Sequence, residues 1–301
     1  MKKNGSLVLF IGLALGITWL LWIPALALVS AKGYPLPTID YLLQMRSFAL
    51  VNGEHALAVA LFSLAVYGPL LAGLIVAWME GGRKRAAEWF APVLNWRVKP
   101  YWLGMAFLIA SAVALLPVLV GLVSGLATLR PGGVFPPLLL VLGLFFYQLL
   151  TSGLGEEPGW RAYLLPRLQA RYGREKAVWG SGLVWALWHF PFTIYYTLQG
   201  APDLPPASQL ALVIPALIGQ TMSLIGMVYI YAWLINGTQS VFIAVLFHAL
   251  GNTLNAAAGA LVVANPIISL GIGAMPWLVV LFLERMGKKA QARATGAEQS
   301  S

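Results

Sequence analysis

Residues 155–161 read Gly-Glu-Glu-Pro-Gly-Trp-Arg and follow directly from an apolar run that begins at residue 137. Of the ten acidic residues in the chain, only Glu156 and Glu157 fall outside the predicted loops, helix ends and tail. A carboxylate at mid-membrane costs roughly 2.5–3.5 kcal/mol on insertion scales, so an adjacent pair requires a compensating role. This stretch therefore bears on both the fold and the function.

The composition is that of an integral membrane protein. The 301 residues are 59% hydrophobic and 10% charged, with a mean hydropathy of +0.79. A soluble fold has too little interior for that much apolar surface. The chain contains no cysteine, which excludes disulfides, a thiolate nucleophile and cysteine-ligated metals.

Apolar runs of about 20 residues or more are long enough to cross a bilayer. They lie at 6–29, 56–79, 101–129, 137–157, 177–198, 209–235, 239–262 and 266–283. They predict an all-α polytopic bundle of about eight transmembrane helices. We expect one membrane domain over 1–284, followed by a polar, disordered cytoplasmic tail over 285–301.

The basic residues are distributed unevenly between the two sides of this predicted bundle. Sixteen Lys and Arg residues fall on the side of the termini, and three, Lys32, Arg46 and Arg130, fall on the other side. The positive-inside rule then places both termini in the cytoplasm and the protein in the cell membrane. The net charge of +9 indicates contact with membrane lipids, including anionic headgroups, and gives no reason to expect nucleic acid.

Two of the three histidines, His189 and His248, lie in the middle of long apolar segments. At 1.5 Å per residue, Glu156 and His248 each lie about 14 Å, and His189 about 18 Å, below the cytoplasmic face. Residues that form a single site must lie at a similar depth in the membrane. The remaining histidine, His55, follows Glu54 in a predicted outer loop and is expected to be a plain surface residue.

Helical spacing pairs the polar residues within each segment. Glu157 and Arg161 are four residues apart and can form an ion pair. Glu156 is rotated about 100° away and remains available for chemistry. Pro158 leaves open whether the helix runs on unbroken or bends at this point.

The other two segments carry pairs with the same spacing. Trp185 and His189 share a helix face, as do His248 and Asn252. A carboxylate, two imidazoles and a carboxamide are suitable groups for activating a water and stabilising an oxyanion.

Glu-Glu-x-x-x-Arg at 156–161, aromatic-x-x-x-His at 185–189 and His-x-x-x-Asn at 248–252 together resemble the CPBP intramembrane proteases. This is the CAAX-protease and bacteriocin-processing (Abi) family, which includes the type II CAAX prenyl endopeptidases. The resemblance covers a catalytic core over 137–260. Trp185 stands where the family usually has Phe, a mild departure that is expected to alter the shape of the pocket.

The resemblance implies an endopeptidase that acts on a membrane-associated protein or peptide precursor, with or without a lipidated C-terminus. It implies that Glu156 is the general base and that His189 helps to hold and activate the water. His248 and Asn252 would stabilise the oxyanion, and the ion pair four residues apart would brace the site.

Other readings remain open at this stage. Buried Glu and His residues also build proton relays, so a proton-coupled transporter is an alternative, as is a non-catalytic scaffold or immunity protein on the same fold. Glu156, His189 and His248 could supply three ligands to a zinc ion with one open position. The usual His-Glu-x-x-His motif is absent, and we favour a glutamate-activated water without metal.

Overall fold

The structure is a computed structural model that describes residues 3–130, 136–264, 271 and 273–286. Its α-helices are α1 Lys3–Lys32, α2 Ile39–Met45, α3 Gly53–Ala65, α4 Gly68–Leu94, α5 Pro100–Ser124, α6 Leu138–Gln148, α7 Leu154–Glu157, α8 Leu165–Gln199, α9 Pro206–Thr238 and α10 Phe242–Leu261. Two π-helical segments, Leu149–Gly153 and Pro158–Leu164, flank α7, and residues 273–286 are also helical. Two short strands, β1 Ala127–Leu129 and β2 Val262–Ala264, pair antiparallel. The predicted disordered tail lies almost wholly in 287–301, outside the described residues.

The predicted all-α membrane bundle is confirmed. Within the described residues, five helices are long and apolar enough to cross a membrane, or six if the bent pair α3–α4 is one span. One of the five runs over 62 residues, 138–199, and would be roughly 90 Å long if straight, about three times the hydrocarbon thickness. Its backbone leaves helical geometry at Gly173, where φ is 77° and ψ is 171°. The chain thus folds as a multi-pass bundle, and the number of crossings stays a prediction.

One side of the bundle, here called the loop face, gathers the ends of α1, α5, α8 and α10. Nε2 of Gln199 donates a hydrogen bond to Oγ of Ser30 at 3.2 Å, which joins the ends of α8 and α1. The pairing of β1 with β2 joins the ends of α5 and α10. The loop with α2 that follows α1 belongs to this face as well.

The opposite side, here called the terminal face, contains the start of α1. Phe10 stacks on Tyr163 with ring centroids 4.6 Å apart. Oη of Tyr163 donates to Oε1 of Glu80 at 2.8 Å, and Nη2 of Arg167 donates to Oε2 of the same carboxylate at 2.7 Å. These contacts join α1, α4 and α8 at the terminal face.

His55 was predicted to be a surface residue, and that prediction was wrong. Its side chain is fully buried. Its Nδ1 accepts from the backbone N–H of Val51 at 3.1 Å, so Nε2 carries the hydrogen donated to the carbonyl of Pro35 at 2.8 Å. The histidine therefore ties together two parts of the loop that holds α2 on the loop face.

The helix runs through Pro158. Its φ of −59° and ψ of −40° are helical, and the segment that begins there is π-helical. Proline has no N–H to donate, and the wider π-helical turn changes the hydrogen-bond register around it. The carbonyl of Pro158 accepts from Nε1 of Trp89 at 3.2 Å. Single π-helical turns of this kind are frequent at functional sites.

Gly155 and Gly159 allow the chain to pass close to the break between α3 and α4. A Cβ atom on Gly155 would lie 2.8 Å from the carbonyl oxygen of Val66, and one on Gly159 would lie 2.6 Å from the carbonyl carbon of Pro69. Both distances are far below normal van der Waals contact. Two small residues four apart allow this approach, as they do at other helix contacts in membranes. The close contact fixes the backbone that carries Glu156 and Glu157.

We expect Gly159→Ala to lower the melting temperature of the purified protein in detergent. The added methyl group must displace the Pro69 backbone, and overpacking of this kind typically costs about 1–3 kcal/mol. Gly143→Ala is the matched control, because a Cβ at Gly143 on α6 meets no atom within 4 Å. Equal melting temperatures for the two variants would show that the close approach contributes nothing to stability.

Candidate active site

A cavity of about 450 Å³ opens among the helices. The residues lining it include Glu156, Trp185, His189, His248 and Asn252. The sequence placed these side chains on three separate segments at similar depth, and the structure brings them to one cavity. Glu157 and Arg161, the other two members of the predicted set, lie behind its wall with no exposed surface.

The Glu156 carboxylate is held between two side chains from other helices. Its Oε2 accepts a hydrogen bond from Nε1 of Trp185 at 2.8 Å. Its Oε1 lies 3.9 Å from Nε2 of His248. The sequence analysis predicted that Trp185 would alter the shape of the pocket. It did not predict that the indole N–H would donate a hydrogen bond to the carboxylate, a bond that Phe cannot make.

His248 is oriented by Glu157. Its Nδ1 lies 2.7 Å from Oε1 of Glu157, and an ionised carboxylate only accepts, so Nδ1 carries the hydrogen. The ring then presents Nε2 toward Glu156. A carboxylate on one ring nitrogen that fixes the role of the other is a recurrent arrangement at catalytic histidines.

The ion pair predicted from helical spacing is present and completely buried. Nε of Arg161 lies 3.0 Å from Oε2 of Glu157. The guanidinium also lies against two aromatic rings, 4.5 Å from the centroid of Trp185 and 4.2 Å from that of Tyr231. Such cation–π contacts are strongest where water is excluded. Tyr231, on α9, was not identified from the sequence, where it is one of many aromatic residues in apolar segments.

His189 is held by its own helix. Its Nδ1 lies 2.9 Å from the carbonyl oxygen of Trp185, which can only accept, so Nδ1–H donates and Nε2 is left as the acceptor. The indole of Trp185 contacts both histidines, with its ring centroid 5.7 Å from that of His189 and 6.0 Å from that of His248. Trp185 is thus the common neighbour of both imidazoles and Glu156.

Asn252 pairs with a residue that the sequence analysis missed. Its Nδ2 donates to Oε1 of Gln148 at 2.9 Å. A carboxamide nitrogen has two hydrogens, so this bond orients the group and leaves one N–H for another acceptor. The available signal was the amide side chain of Gln148 within the apolar run 137–157, a position that calls for a hydrogen-bonding partner.

The alternative in which Glu156, His189 and His248 bind zinc stays a prediction. In the part of the chain that the structure describes, no group of three or more His, Asp or Glu side chains is arranged to hold a metal ion.

Residues 137–254 match the family model described as type II CAAX prenyl endopeptidase Rce1-like. The matched range contains all three motifs and every residue named in this subsection. The resemblance to the CPBP family is confirmed.

A curated relative, CAAX prenyl protease 2 of Methanococcus maripaludis, is 29% identical over 171 residues. The match covers 56% of this chain and 60% of the relative's length. The chain therefore spans less than two thirds of that relative, and the similarity by itself assigns neither a substrate nor a reaction to this chain.

We expect Arg161→Ala to destabilise the protein by about 3–5 kcal/mol, because it leaves the Glu157 carboxylate buried without its cation. Glu157→Gln combined with Arg161→Met should recover part of that loss, because it removes both charges together. Thermal unfolding in detergent measures both effects, with Arg174→Ala, an exposed arginine on the same helical run, as the control. A normal melting temperature for Arg161→Ala would contradict the proposed role of the pair.

Proposed function

We propose that this protein is an intramembrane endopeptidase that hydrolyses a peptide bond of a membrane-associated protein or peptide, using a water activated by Glu156. The observation that carries the proposal is the Glu156 carboxylate, held by Trp185 and facing Nε2 of His248 at 3.9 Å in a membrane cavity. The family match over 137–254 supports the same class of reaction.

The reaction begins with a water that can contact both Oε1 of Glu156 and Nε2 of His248, with His189 helping to hold it. Glu156 accepts a proton from the water, and the water oxygen attacks the carbonyl carbon of the substrate. The proton then passes from Glu156 to the amide nitrogen as the carbon–nitrogen bond breaks. The products are one new carboxyl group and one new amine, with no oxidant or metal needed for the balance.

The negative charge that develops on the carbonyl oxygen is stabilised by hydrogen-bond donors that are in position before the reaction begins. The second N–H of Asn252, oriented by Gln148, is the first candidate. His248 can donate from Nε2 as an imidazolium, because the two carboxylates of Glu156 and Glu157 would balance the two positive charges of His248 and Arg161. Trp185 contributes by holding Glu156 and does not itself change protonation.

We further propose that both termini face the cytoplasm of a cell membrane. The asymmetry of Lys and Arg supports this orientation, with sixteen residues against three. The described lining of the cavity includes residues 37–40 of the loop face, the side opposite the start of α1.

Glu156→Gln should lower kcat by about 10²–10⁴-fold, the usual contribution of a general acid–base group. Glutamine keeps the size of the side chain and an acceptor for the Trp185 N–H, but it cannot take a proton from water. The measurement is cleavage of a reporter peptide by purified protein, with Glu88→Gln on the exposed side of α4 as the control. Wild-type turnover by Glu156→Gln would eliminate the glutamate mechanism.

The same assay tests the metal alternative. Under the proposed mechanism, chelator-treated protein keeps its activity. Stoichiometric zinc that is lost together with activity on chelation, and that restores activity when added back, would instead establish a metal enzyme.

Asn252→Ala should lower kcat by about 10²–10³-fold, the usual effect of removing one oxyanion donor. KM should change little, because the bond strengthens mainly in the transition state. Asn236→Ala, which removes an exposed carboxamide outside the cavity, is the matched control. A rise in KM with kcat unchanged would reassign Asn252 to substrate binding.

A further inference from the structure

Trp188 occupies an unspecified position of the aromatic-x-x-x-His motif, yet it contacts the imidazole of His189. The two ring centroids lie 4.6 Å apart, with the ring planes at 88°. The indole is buried and is among the residues that line the cavity of about 450 Å³. Such an edge-to-face contact restricts how the imidazole can turn. The hydrogen bond from Nδ1 of His189 to its own helix is therefore not the only interaction that orients the ring.

The indole of Trp188 is in turn held by Thr18 on α1. Its Nε1 donates a hydrogen bond to Oγ1 of Thr18 at 2.7 Å, and this hydroxyl donates to the carbonyl oxygen of Ala65 at 2.8 Å. Thr18 has no exposed surface. A hydroxyl has one hydrogen and two lone pairs, so this single group satisfies a buried indole N–H and a buried backbone carbonyl together.

The backbone around Ala65 explains why a hydroxyl is needed there. α3 ends at Ala65, and the residue four positions further along is Pro69, which has no N–H to donate to this carbonyl. A Cβ atom on Gly68 would overlap Oγ1 of Thr18, so glycine at that position leaves the room that the hydroxyl occupies. The same break between α3 and α4 packs against the segment that carries Glu156. Thr18 thus links the position of Trp188 to the part of the bundle that holds the glutamate.

Resting on the endopeptidase function proposed above, we propose that Thr18 is a positioning residue for His189 and acts through the indole of Trp188. Thr18 is not among the described residues that line the cavity, so its effect on the reaction is indirect. It fixes the indole, and the indole fixes the imidazole that helps to hold the water. α1 lies outside the matched segment 137–254, so this role extends the site to a helix that the family match does not cover.

Thr18→Val replaces the hydroxyl with a methyl group of similar size and leaves the indole N–H unpaired. We expect kcat for the reporter peptide to fall about 10- to 100-fold, because a displacement of about 1 Å in a reacting group can cost about 10²-fold. KM should change little, since Thr18 does not line the cavity. Thr18→Ser keeps the hydroxyl and should restore kcat.

Thr221→Val on α9 is the matched control. It removes a hydroxyl that donates to the carbonyl of Leu217 on its own helix, and Thr221 does not line the cavity. Both kcat and KM should stay at their wild-type values in this variant. Melting temperatures in detergent establish that each variant is folded.

A double-mutant cycle with Trp188→Phe tests whether Thr18 acts through the indole. Phe keeps an aromatic ring but cannot donate to the hydroxyl. Thr18→Val should then have little further effect on kcat in the Trp188→Phe background, whereas independent, additive effects would overturn the proposal. If Thr18→Val does not fold, Trp188→Phe alone carries the test, because it removes the same hydrogen bond. A wild-type kcat for Trp188→Phe would also overturn the proposal.

The chain has three histidines, so NMR of ring-labelled histidine gives a readout that does not depend on catalysis. Thr18→Val should shift the imidazole resonances of His189, because these nuclei lie in the ring current of the Trp188 indole. The resonances of His55, on α3, should not move. Unchanged His189 resonances in the folded variant would overturn the inference.

Failure of this inference and failure of the proposed function give different results. Wild-type turnover by folded Thr18→Val, with Glu156→Gln inactive, would remove only the role of Thr18. Wild-type turnover by Glu156→Gln would remove the proposed function and this role with it.

Discussion

The Glu157 carboxylate is buried between two partners, with Nε of Arg161 3.0 Å from its Oε2 and Nδ1 of His248 2.7 Å from its Oε1. A guanidinium with no exposed surface is tolerated in a membrane bundle only when its charge is balanced nearby. Glu157 supplies that balance and fixes the ring of His248 at the same time. The stability of the bundle and the geometry of the site therefore depend on the same carboxylate.

The burial of Glu157 and Arg161 depends on the backbone conformation of residues 155–161. Gly155 and Gly159 let the chain contact Val66 and Pro69 at distances that a side chain would forbid. The π-helical turn that begins at Pro158 changes which faces the following residues present. A regular helix with larger residues would not bring Glu157 and Arg161 into the interior in the same way. The sequence Gly-Glu-Glu-Pro-Gly thus combines close packing with a change in helical register.

Sequence reasoning succeeded where one helix determines the outcome. The Glu157–Arg161 pair follows from four-residue spacing, and the similar depth of Glu156 and His248 follows from helix rise. Sequence reasoning failed where the partners come from different helices, because residue spacing within one helix does not show how a neighbouring helix is rotated about its axis. The bond from Trp185 to Glu156 and the burial of His55 are examples, and both contacts form only after the helices have packed.

The charge of the cavity follows from the same asymmetry that indicates the topology. The concentration of Lys and Arg on the terminal face supports the proposed orientation, and the described lining of the cavity includes residues of the loop face. Of the three basic residues there, Lys32 lies 3.6 Å from Glu54, and Arg130 donates to the carbonyl of Val262 at 3.3 Å. Arg46, the third, is the C-cap of α2, and the described residues that line the cavity include no Lys or Arg. The uneven distribution of Lys and Arg that supports the proposed orientation is thus matched by a cavity whose described lining includes no Lys or Arg.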